Sequence, residues 1–273
     1  MPFSILSRII LLSLLTALLA CNGDRPTPDE PRPSDTLPAQ PAPTRTDSGA
    51  SAAMPALSDS TGAPLPPLPA AAPDLAADTI PLHGPKGEQT RYGIETGRIV
   101  LRYTGDSRGE RRIVFDSYGL RERRDETVVP VKEGKSGMLN TIIMITTPEE
   151  HAYADVRTKQ GWKTANEGFQ RYIAAGAGKT MSLGAMILNE AGAEVLPDTV
   201  INGYHCKVRR KNVKGMTVTN WLWRGIMIRE RLVSPADTLQ YTLEPVEIAA
   251  NIKLPDSLFK FPPGYRITQY NGR

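Results

Sequence analysis

The 273-residue chain has few aromatic residues and few cysteines, and both shortages are informative. No Phe, Tyr or Trp occurs between Phe3 and Tyr92, so residues 22–90 lack the large apolar side chains that an ordinary core needs. The two cysteines, Cys21 and Cys206, are too few for a disulfide-rich scaffold. No apolar run reaches the length of about 18 residues that marks a membrane-spanning helix. We therefore expect one folded domain, over residues 91–273.

Residues that hold metal ions are sparse as well. The histidines, His83, His151 and His205, are scattered, and no two lie four residues apart as on a metal-binding helix. His205 and Cys206 are neighbours on a predicted strand, so their side chains face opposite ways and cannot bind one ion. We predict no metal and no cofactor, and we expect Cys206 to pack inward beside Tyr204 as a small apolar residue.

Two common hydrolase motifs are absent, since neither a Gly-x-Ser-x-Gly elbow nor a His-Glu-x-x-His helix occurs. We therefore predict that the protein is not an enzyme. Carboxylate pairs that are far apart in the chain, such as Asp116 and Glu230, leave a hydrolase open as an alternative. The fold decides whether such a pair comes close enough to act on one bond.

The first 20 residues have the organisation of a secretory signal peptide. One basic residue, Arg8, precedes a mainly apolar stretch, residues 9–20, which measures about 18 Å as a helix and is short of a bilayer core of ~30 Å. Its end, Leu18-Leu19-Ala20-Cys21, resembles the bacterial lipobox, in which the Cys receives a diacylglycerol and becomes the first mature residue. An ordinary cleavage site without lipid and an uncleaved anchor are the alternatives.

Acyl chains on Cys21, such as palmitate, would anchor the mature protein, because several chains bind a bilayer stably where one chain binds only reversibly. The residue after the Cys is Asn22, whereas an Asp there favours inner-membrane retention in the enterobacterial sorting rule. By that resemblance we expect a lipoprotein of the outer membrane that faces the periplasm.

Residues 21–90 have the composition of a tether. From Asn22 to Thr90, 15 of 69 residues are Pro and none is aromatic, so too little apolar area is available to offset the entropy of ordering. We predict a disordered linker, with ends about 45–50 Å apart as a flexible coil and about 200 Å apart as polyproline II. A spacer is the simpler interpretation, and a Pro-rich ligand for another protein is the alternative.

Charge differs between the tether and the domain. Residues 21–90 contain 4 Lys or Arg residues and 9 Asp or Glu residues. Residues 91–273 contain 28 Lys or Arg residues and 20 Asp or Glu residues. An acidic tether therefore leads into a basic domain. Behind a signal peptide we expect no nucleic acid partner, and anionic lipid head groups or polysaccharide are the candidates. A solubilising surface charge without a partner is the alternative.

Apolar and polar residues alternate from residue 92 onward, which predicts strands. The first hairpin is predicted from alternating apolar residues on its two strands: Ile99, Leu101, Tyr103, Ile113 and Phe115. Residues 120–127 are highly charged and predict a solvent-facing or edge strand. Residues 217–223 and 226–233 predict a hairpin that turns at Arg224-Gly225. Other strands are predicted over residues 139–147, 151–157, 162–165, 204–211 and 238–249.

The period changes in the middle of the chain. Phe169, Tyr172 and Ile173 fall at helical spacing with Asn166 as a candidate cap, and residues 181–191 predict a second helix. One or two helices among many antiparallel strands predict an α+β fold. We expect a curved antiparallel sheet, an incomplete barrel, that wraps around these helices.

Three stretches resemble a known family: EVLPDTVINGYHCKVRRKN at 194–212, NWLWRGIMIRERLV at 220–233 and LPDSLFKFPPGY at 254–265. They are similar to the LolA/LolB superfamily of periplasmic lipoprotein-sorting proteins and to allied uncharacterised envelope domains. The resemblance implies an incomplete barrel that encloses a helical lid and holds acyl chains in its concave face. The chain departs from the family in its tether, because the lipidated receptor has no Pro-rich leader of this length.

Aromatic and aliphatic residues at matching strand positions are the candidate ligand site. We predict an apolar groove lined by Leu101, Tyr103, Phe115, Trp221 and Trp223. The function predicted from the groove and the anchor is non-catalytic binding of a lipid, an acyl chain or a lipoprotein at the cell envelope. The alternative is a scaffolding or protein-interaction lipoprotein in which the same residues form a closed core.

Overall fold

The computed structural model describes residues 80–131, 139–176, 183–190, 192–235 and 238–270. The predicted signal peptide, Cys21 and the tether as far as residue 79 lie outside these ranges. The strands of the described part are β1 (Gly97–Gly105), β2 (Ser107–Asp116), β3 (Arg121–Pro130), β4 (Asn140–Thr146), β5 (Glu150–Asp155), β6 (Gln160–Ala165), β7 (Glu194–Ile201), β8 (Tyr204–Val213), β9 (Met216–Trp223), β10 (Ile226–Val233), β11 (Leu239–Ala250) and β12 (Arg266–Gln269). Two α-helices, α1 (Glu167–Gly176) and α2 (Leu183–Glu190), stand between β6 and β7.

These strands form a single open sheet in the order β12-β6-β5-β4-β3-β2-β1-β11-β10-β9-β8-β7. The meander β1–β6 and the meander β7–β11 meet where β1 pairs with β11 in antiparallel fashion. β12 lies parallel to β6 and extends that edge. The helices therefore carry the chain from β6, near one edge of the sheet, to β7 at the opposite edge.

The predicted α+β fold, with a sheet that wraps around one or two helices, is wrong. The domain is nearly all sheet, although the sheet is curved and unclosed. The main apolar cluster holds strand residues and two residues ahead of β1, and no described helix residue belongs to it. The physical reason is size, because helices of 10 and 8 residues carry too little apolar surface to cover twelve strands.

The two predicted helices are present, and they attach to the segment ahead of β1. The Gly184 N–H donates to the Thr90 carbonyl at 3.0 Å, and the Gln89 side chain donates to the Ile173 carbonyl at 2.9 Å. Asn166, the predicted cap, precedes α1 and donates from its side-chain amide to the Thr147 carbonyl at 2.9 Å. Among the described helices, none combines the length and the apolar character that crossing a bilayer requires.

Alternation along the strands gives the sheet two faces. We call one the helix-side face; it carries Leu101, Arg111 and Glu126, which lie opposite one another on β1, β2 and β3. The segment that precedes β1 covers part of this face, since the Tyr92 ring meets the Phe115 ring edge-on with centroids 4.9 Å apart. The main apolar core therefore lies between this segment and the strands on either side of β1.

Residues 251–265 cross the opposite face, and we call them the strap. Leu258 and Phe259 in the strap pack against Val114 of β2. The Arg123 guanidinium of β3 donates to the Leu258 carbonyl at 3.1 Å, which fixes the strap to the centre of the sheet. Beyond the strap, β12 joins the β6 edge. The C-terminal segment thus connects β11, in the middle of the sheet, with its outermost strand.

Three hairpins of the second meander turn on two residues that both have positive φ, the backbone geometry of a type I′ turn. Glycine supplies the second residue of each pair because it adopts positive φ without steric cost. The pairs, with their φ values, are Asn202-Gly203 (50° and 87°), Lys214-Gly215 (50° and 80°) and Arg224-Gly225 (49° and 79°). The predicted hairpin about Arg224-Gly225 and the predicted first hairpin, β1–β2, are both confirmed.

β3 differs most from its sequence-based expectation. We expected residues 120–127 to form a solvent-facing or edge strand, but β3 pairs with β2 on one side and with β4 on the other. Four charged side chains of this strand are buried: Glu122, Arg123, Asp125 and Glu126. Their burial is tolerated because each has an oppositely charged partner within the sheet.

Candidate functional site

The five residues predicted to line a groove are almost all sealed from solvent. Leu101 and Trp223 are 0% exposed, Phe115 is 1% exposed and Tyr103 is 2% exposed. Trp221 is half-buried and packs against the apolar cluster that contains the other four. The fold brings these side chains together, but only Trp221 is accessible without displacement of protein atoms. Their role in ligand binding stays a prediction.

Aromatic rings from other parts of the chain cover two of the sealed residues. Tyr92 lies edge-on against Phe115, as described above, and Tyr204 lies edge-on against Trp223 with ring centroids 4.7 Å apart. Edge-to-face pairs at such distances contribute about 0.5–1.5 kcal/mol beyond the burial of area. An apolar ligand that entered here would have to replace these contacts.

The accessible indole, Trp221, is itself covered by a cation. Arg229 lies directly opposite Trp221 in the β9–β10 pair, and its guanidinium carbon is 4.9 Å from the ring centroid. The same guanidinium donates to a carboxylate oxygen of Glu244 at 2.6 Å. The Glu244 contact holds the cation over the ring, so the predicted groove is closed at this end too.

A charged network lies inside the apolar cluster. The Arg111 guanidinium donates to Glu126 Oε2 at 2.8 Å, to Tyr103 Oη at 2.9 Å and to Glu230 Oε1 at 3.3 Å. Tyr241 donates to Glu230 Oε1 at 3.0 Å, and Tyr103 donates to Glu126 Oε1. Arg111 is 1% exposed, so nearly all of its charge is neutralised by protein groups.

Burial and pairing together fix the protonation of this network. Burial alone would raise the pKa of Glu126, but Arg111, the Tyr103 hydroxyl and Arg124 together outweigh it and leave that pKa below its usual value. Burial raises the pKa of Tyr103 and of Tyr241 well above the usual value for a phenol. The network therefore holds an ionised pair and two neutral phenols near neutral pH, which suits a structural role.

A second polar group on the helix-side face is centred on Glu122. One of its carboxylate oxygens accepts from the Tyr92 hydroxyl and lies 3.3 Å from Arg91 Nη1. Its other oxygen lies 3.4 Å from Arg124 Nη2. Burial favours the neutral acid, but Arg91 and Arg124 lower the pKa of Glu122 below its usual value. Two cations thus share one carboxylate at this site.

His151 on β5 lies beside this group. Its Nδ1 is 2.9 Å from the Thr146 hydroxyl, whereas its Nε2 is buried and has no hydrogen-bond partner. Arg124 Nε is also buried without a hydrogen-bond partner. Burial first, and then the positive charge of Arg124, lower the pKa of His151 to about 4. The imidazole is therefore neutral at physiological pH.

Four rings near the β6 edge form what we call the aromatic shelf: His151, Tyr153, Trp162 and Tyr270. Tyr153 and Trp162 are cross-strand neighbours, and their rings stack with centroids 5.8 Å apart and planes inclined by 21°. His151 and Tyr270 flank Trp162 at 6.1 and 6.2 Å. Tyr270 is 59% exposed and the other three rings are half-buried. The shelf rings are thus more exposed than four of the five residues of the predicted groove.

The structure separates the carboxylate pair on which a hydrolase would depend. Asp116 lies on the strap-side face of β2 and accepts from Arg121 at 2.8 Å, whereas Glu230 belongs to the Arg111 network on the opposite face. No group of three or more metal-ligating side chains comes together within the described ranges. Cys206 is buried in the apolar cluster beside Tyr204, as expected.

Sequence reasoning missed the buried charges, although one signal was present. In β3, residues of opposite charge alternate on each face: Glu122, Arg124 and Glu126 on one face, and Arg123 and Asp125 on the other. Each face of the strand therefore carries its own counter-charges. A solvated edge strand has no need of such pairing, so the pattern favours burial.

Comparison with known proteins establishes no family for the chain. No protein-family model matches it, and no curated protein matches it either. Solved structures do share parts of its fold. An uncharacterised conserved protein from Thermus thermophilus is 11% identical, with a TM-score of 0.40, over 64% of this chain and 91% of that one.

Two further solved structures share parts of the fold. MucB of Pseudomonas aeruginosa, solved with MucA, is 8% identical with a TM-score of 0.33, and the match spans 60% of this chain and 55% of that one. A domain provisionally assigned to outer-membrane lipoprotein sorting, from Vibrio parahaemolyticus, is 10% identical with a TM-score of 0.23, over 61% and 88% of the two chains. At these values the similarities carry no argument about function.

Proposed function

We propose that this protein is a lipid-anchored component of the bacterial cell envelope, and that its sheet domain binds a lipid, an acyl chain or a lipoprotein without catalysis. The lipobox-like Leu18-Leu19-Ala20-Cys21 supports the anchor, with Cys21 as the lipidated residue and the outer membrane as its location. The aromatic shelf supports the binding function, because its half-buried rings leave part of their apolar area exposed for a ligand.

The partly exposed shelf is the observation that carries this proposal. Trp162 and Tyr153 present a stacked pair of rings near the β6 edge, and Arg124 lies in the same row of the sheet with Met144 between it and Tyr153. A ligand with an apolar part gains about 25 cal/mol for each Å² of apolar surface that it buries there. Phe115 and Trp223, in the sealed cluster, contribute only if Tyr92 and Tyr204 move away from them.

Mass spectrometry of the full-length protein tests both parts of the proposal. We expect a diacylglycerol on Cys21 in the intact mass, and lipid that co-purifies in neutral detergent. Trp162→Ala should lose most of that lipid, whereas Trp221→Ala, which removes an indole already covered by Arg229, should keep it. An unmodified Cys21 contradicts the anchor. Lipid no greater than with an unrelated lipoprotein contradicts the binding function.

A second function is favoured by the sealed cluster. Because four of the five predicted groove residues are at most 2% exposed, the core is consistent with a scaffolding or interaction lipoprotein that holds no ligand. Crosslinking in cells distinguishes the two. A scaffold should be crosslinked to one protein partner in stoichiometric yield. Its co-purified lipid should be at background level in both the parent and the Trp162→Ala variant.

A further inference from the structure

Two nitrogen atoms at one place on the helix-side face are buried without a hydrogen-bond partner. They are Arg124 Nε on β3 and His151 Nε2 on β5. A buried donor without an acceptor is costly, and native proteins have few of them. Their side chains interact electrostatically, because the charge of Arg124 contributes to the lowered pKa of His151. An acceptor placed between them would satisfy both nitrogens.

The charge around these atoms favours an acceptor that is negative. Arg91 and Arg124 are cations, Glu122 is the one anion in contact with both, and His151 is neutral. Both oxygens of Glu122 are already engaged, one by Tyr92 and Arg91 and the other by Arg124. Glu126, further along β3, is held by Arg111. Arg91 and Arg124 therefore share one carboxylate in direct contact, although the charge of Arg124 also reaches Glu126.

The apolar side chains nearest to Arg124 lie in the same cross-strand row of the sheet. Across the sheet Arg124 pairs with Met144, Met144 pairs with Tyr153, and Tyr153 pairs with Trp162. Neighbouring strands are about 4.8 Å apart, so the row runs about 14 Å from the cation to the indole. A molecule with an acidic group at one end and a hydrocarbon chain at the other matches this order.

We propose that Arg124 and His151 bind the acidic group of an anionic amphiphile, a carboxylate or a phosphate ester carried on an acyl chain, whose chain then lies along Tyr153 and Trp162. This inference rests on the proposed lipid-binding function and adds the chemistry of the ligand. Arg124 donates from Nε to one oxyanion, and His151, as its neutral Nε2–H tautomer with Nδ1 accepting from Thr146, donates to the same group.

Matched ligands on the full-length protein in neutral detergent test the inference. Palmitate and hexadecyl phosphate carry the acidic group, and hexadecanol has the same chain without it. We expect both acids to bind at least about tenfold more tightly than the alcohol, since a hydrogen bond to a charged group is worth about that much. Arg124→Met should remove the difference, and Arg102→Met, a change of the exposed arginine on β1, should preserve it.

The outcomes separate the two proposals. Equal affinity for palmitate and hexadecanol, or an Arg124→Met variant that keeps the preference for the acids, overturns the acidic-group site and leaves lipid binding intact. If none of the three ligands binds, both proposals fail. Should Arg124→Met not fold, the NMR titration of His151 decides, because palmitate should raise the pKa of that imidazole and hexadecanol should leave it near 4.

Discussion

The sheet has two regions that share a backbone and differ in what covers them. In the sealed region, β1, β2 and β9–β11, the helix-side residues pack into one apolar cluster, and Leu101 and Trp223 are inaccessible to solvent. In the shelf region, β3–β6, rings such as Trp162 stay half-exposed. Alternation along a strand determines which face of the sheet a side chain lies on. Whether that side chain is buried then depends on whether another segment of the chain packs over the face.

Two arginines on neighbouring strands show the same contrast. Arg111, in the sealed region, donates from all three of its guanidinium nitrogens to Glu126, Glu230 and Tyr103. Arg124, in the shelf region, has a side chain that is 19% exposed, and its Nε has no hydrogen-bond partner. The first arginine is a fixed part of the core, and the second has donor capacity left for another molecule.

Substitution of these two arginines, one at a time, should give the largest difference in stability loss between the regions. Arg111→Met leaves Glu126 and Glu230 buried without their cation, which should lower the free energy of unfolding by about 3–5 kcal/mol. Arg124→Met, the matched change in the shelf region, should lower it by about 1 kcal/mol, because Glu122 keeps Arg91 as a second cation. Chemical denaturation of the two variants measures both values, and equal losses would show that the regions do not differ.

Acid should weaken the shelf region through His151. Its pKa is about 4 in the folded protein and about 6.5 in an unfolded chain, so between these values the unfolded state binds more protons. The free energy of unfolding should therefore fall as the pH drops from about 6.5 to about 4, by about 3 kcal/mol in all.

Denaturation curves collected across that pH range measure the loss. His151→Gln is the control. The difference between variant and parent in the pH dependence of the free energy of unfolding gives the contribution of this imidazole, separated from carboxylates that titrate at lower pH. A variant with the same pH profile as the parent would mean that His151 is not buried beside Arg124.

Removal of one tyrosine hydroxyl in each region should give the smallest difference in stability between the regions. Tyr241 donates to Glu230 at 3.0 Å inside the sealed region, so Tyr241→Phe should cost about 1 kcal/mol of stability. Tyr153→Phe keeps the ring that stacks on Trp162, and the half-buried position predicts a change of less than about 0.5 kcal/mol. Thermal unfolding detects the difference, which disappears if the Tyr241 hydroxyl is accessible to water.

The local pattern of apolar residues and turns was sufficient to predict many strands. It failed for strands whose partners are far away in the sequence. The β1–β2 hairpin and the β9–β10 hairpin follow from alternation and from a glycine turn within about 20 residues. Residues 120–127 were misjudged as an edge because the strand that covers their other side, β4, shows no local sign of where it pairs. β12 was not predicted, since it is short and its parallel partner β6 lies about 100 residues earlier.

The candidate site was predicted in part and for a similar reason. The apolar residues Leu101, Tyr103 and Phe115 do lie together, because the register of β1 and β2 places them on one face. Their closure by Tyr92 depends on a segment that the alternation of the strands does not describe. The aromatic shelf was missed because its rings come from separate places in the chain: His151 and Tyr153 on β5, Trp162 on β6 and Tyr270 just after β12.

The sequence by itself determined where most of the strands lie and where some of them turn, because alternation and X-Gly pairs act over a few residues. Only the tertiary structure decided which charges are core and which remain open to a ligand. Arg111 and Glu230 are 119 residues apart in the chain, and Arg124 and His151 meet only because β4 lies between their strands. Burial of a charge depends on such distant partners, since without them its desolvation is not offset.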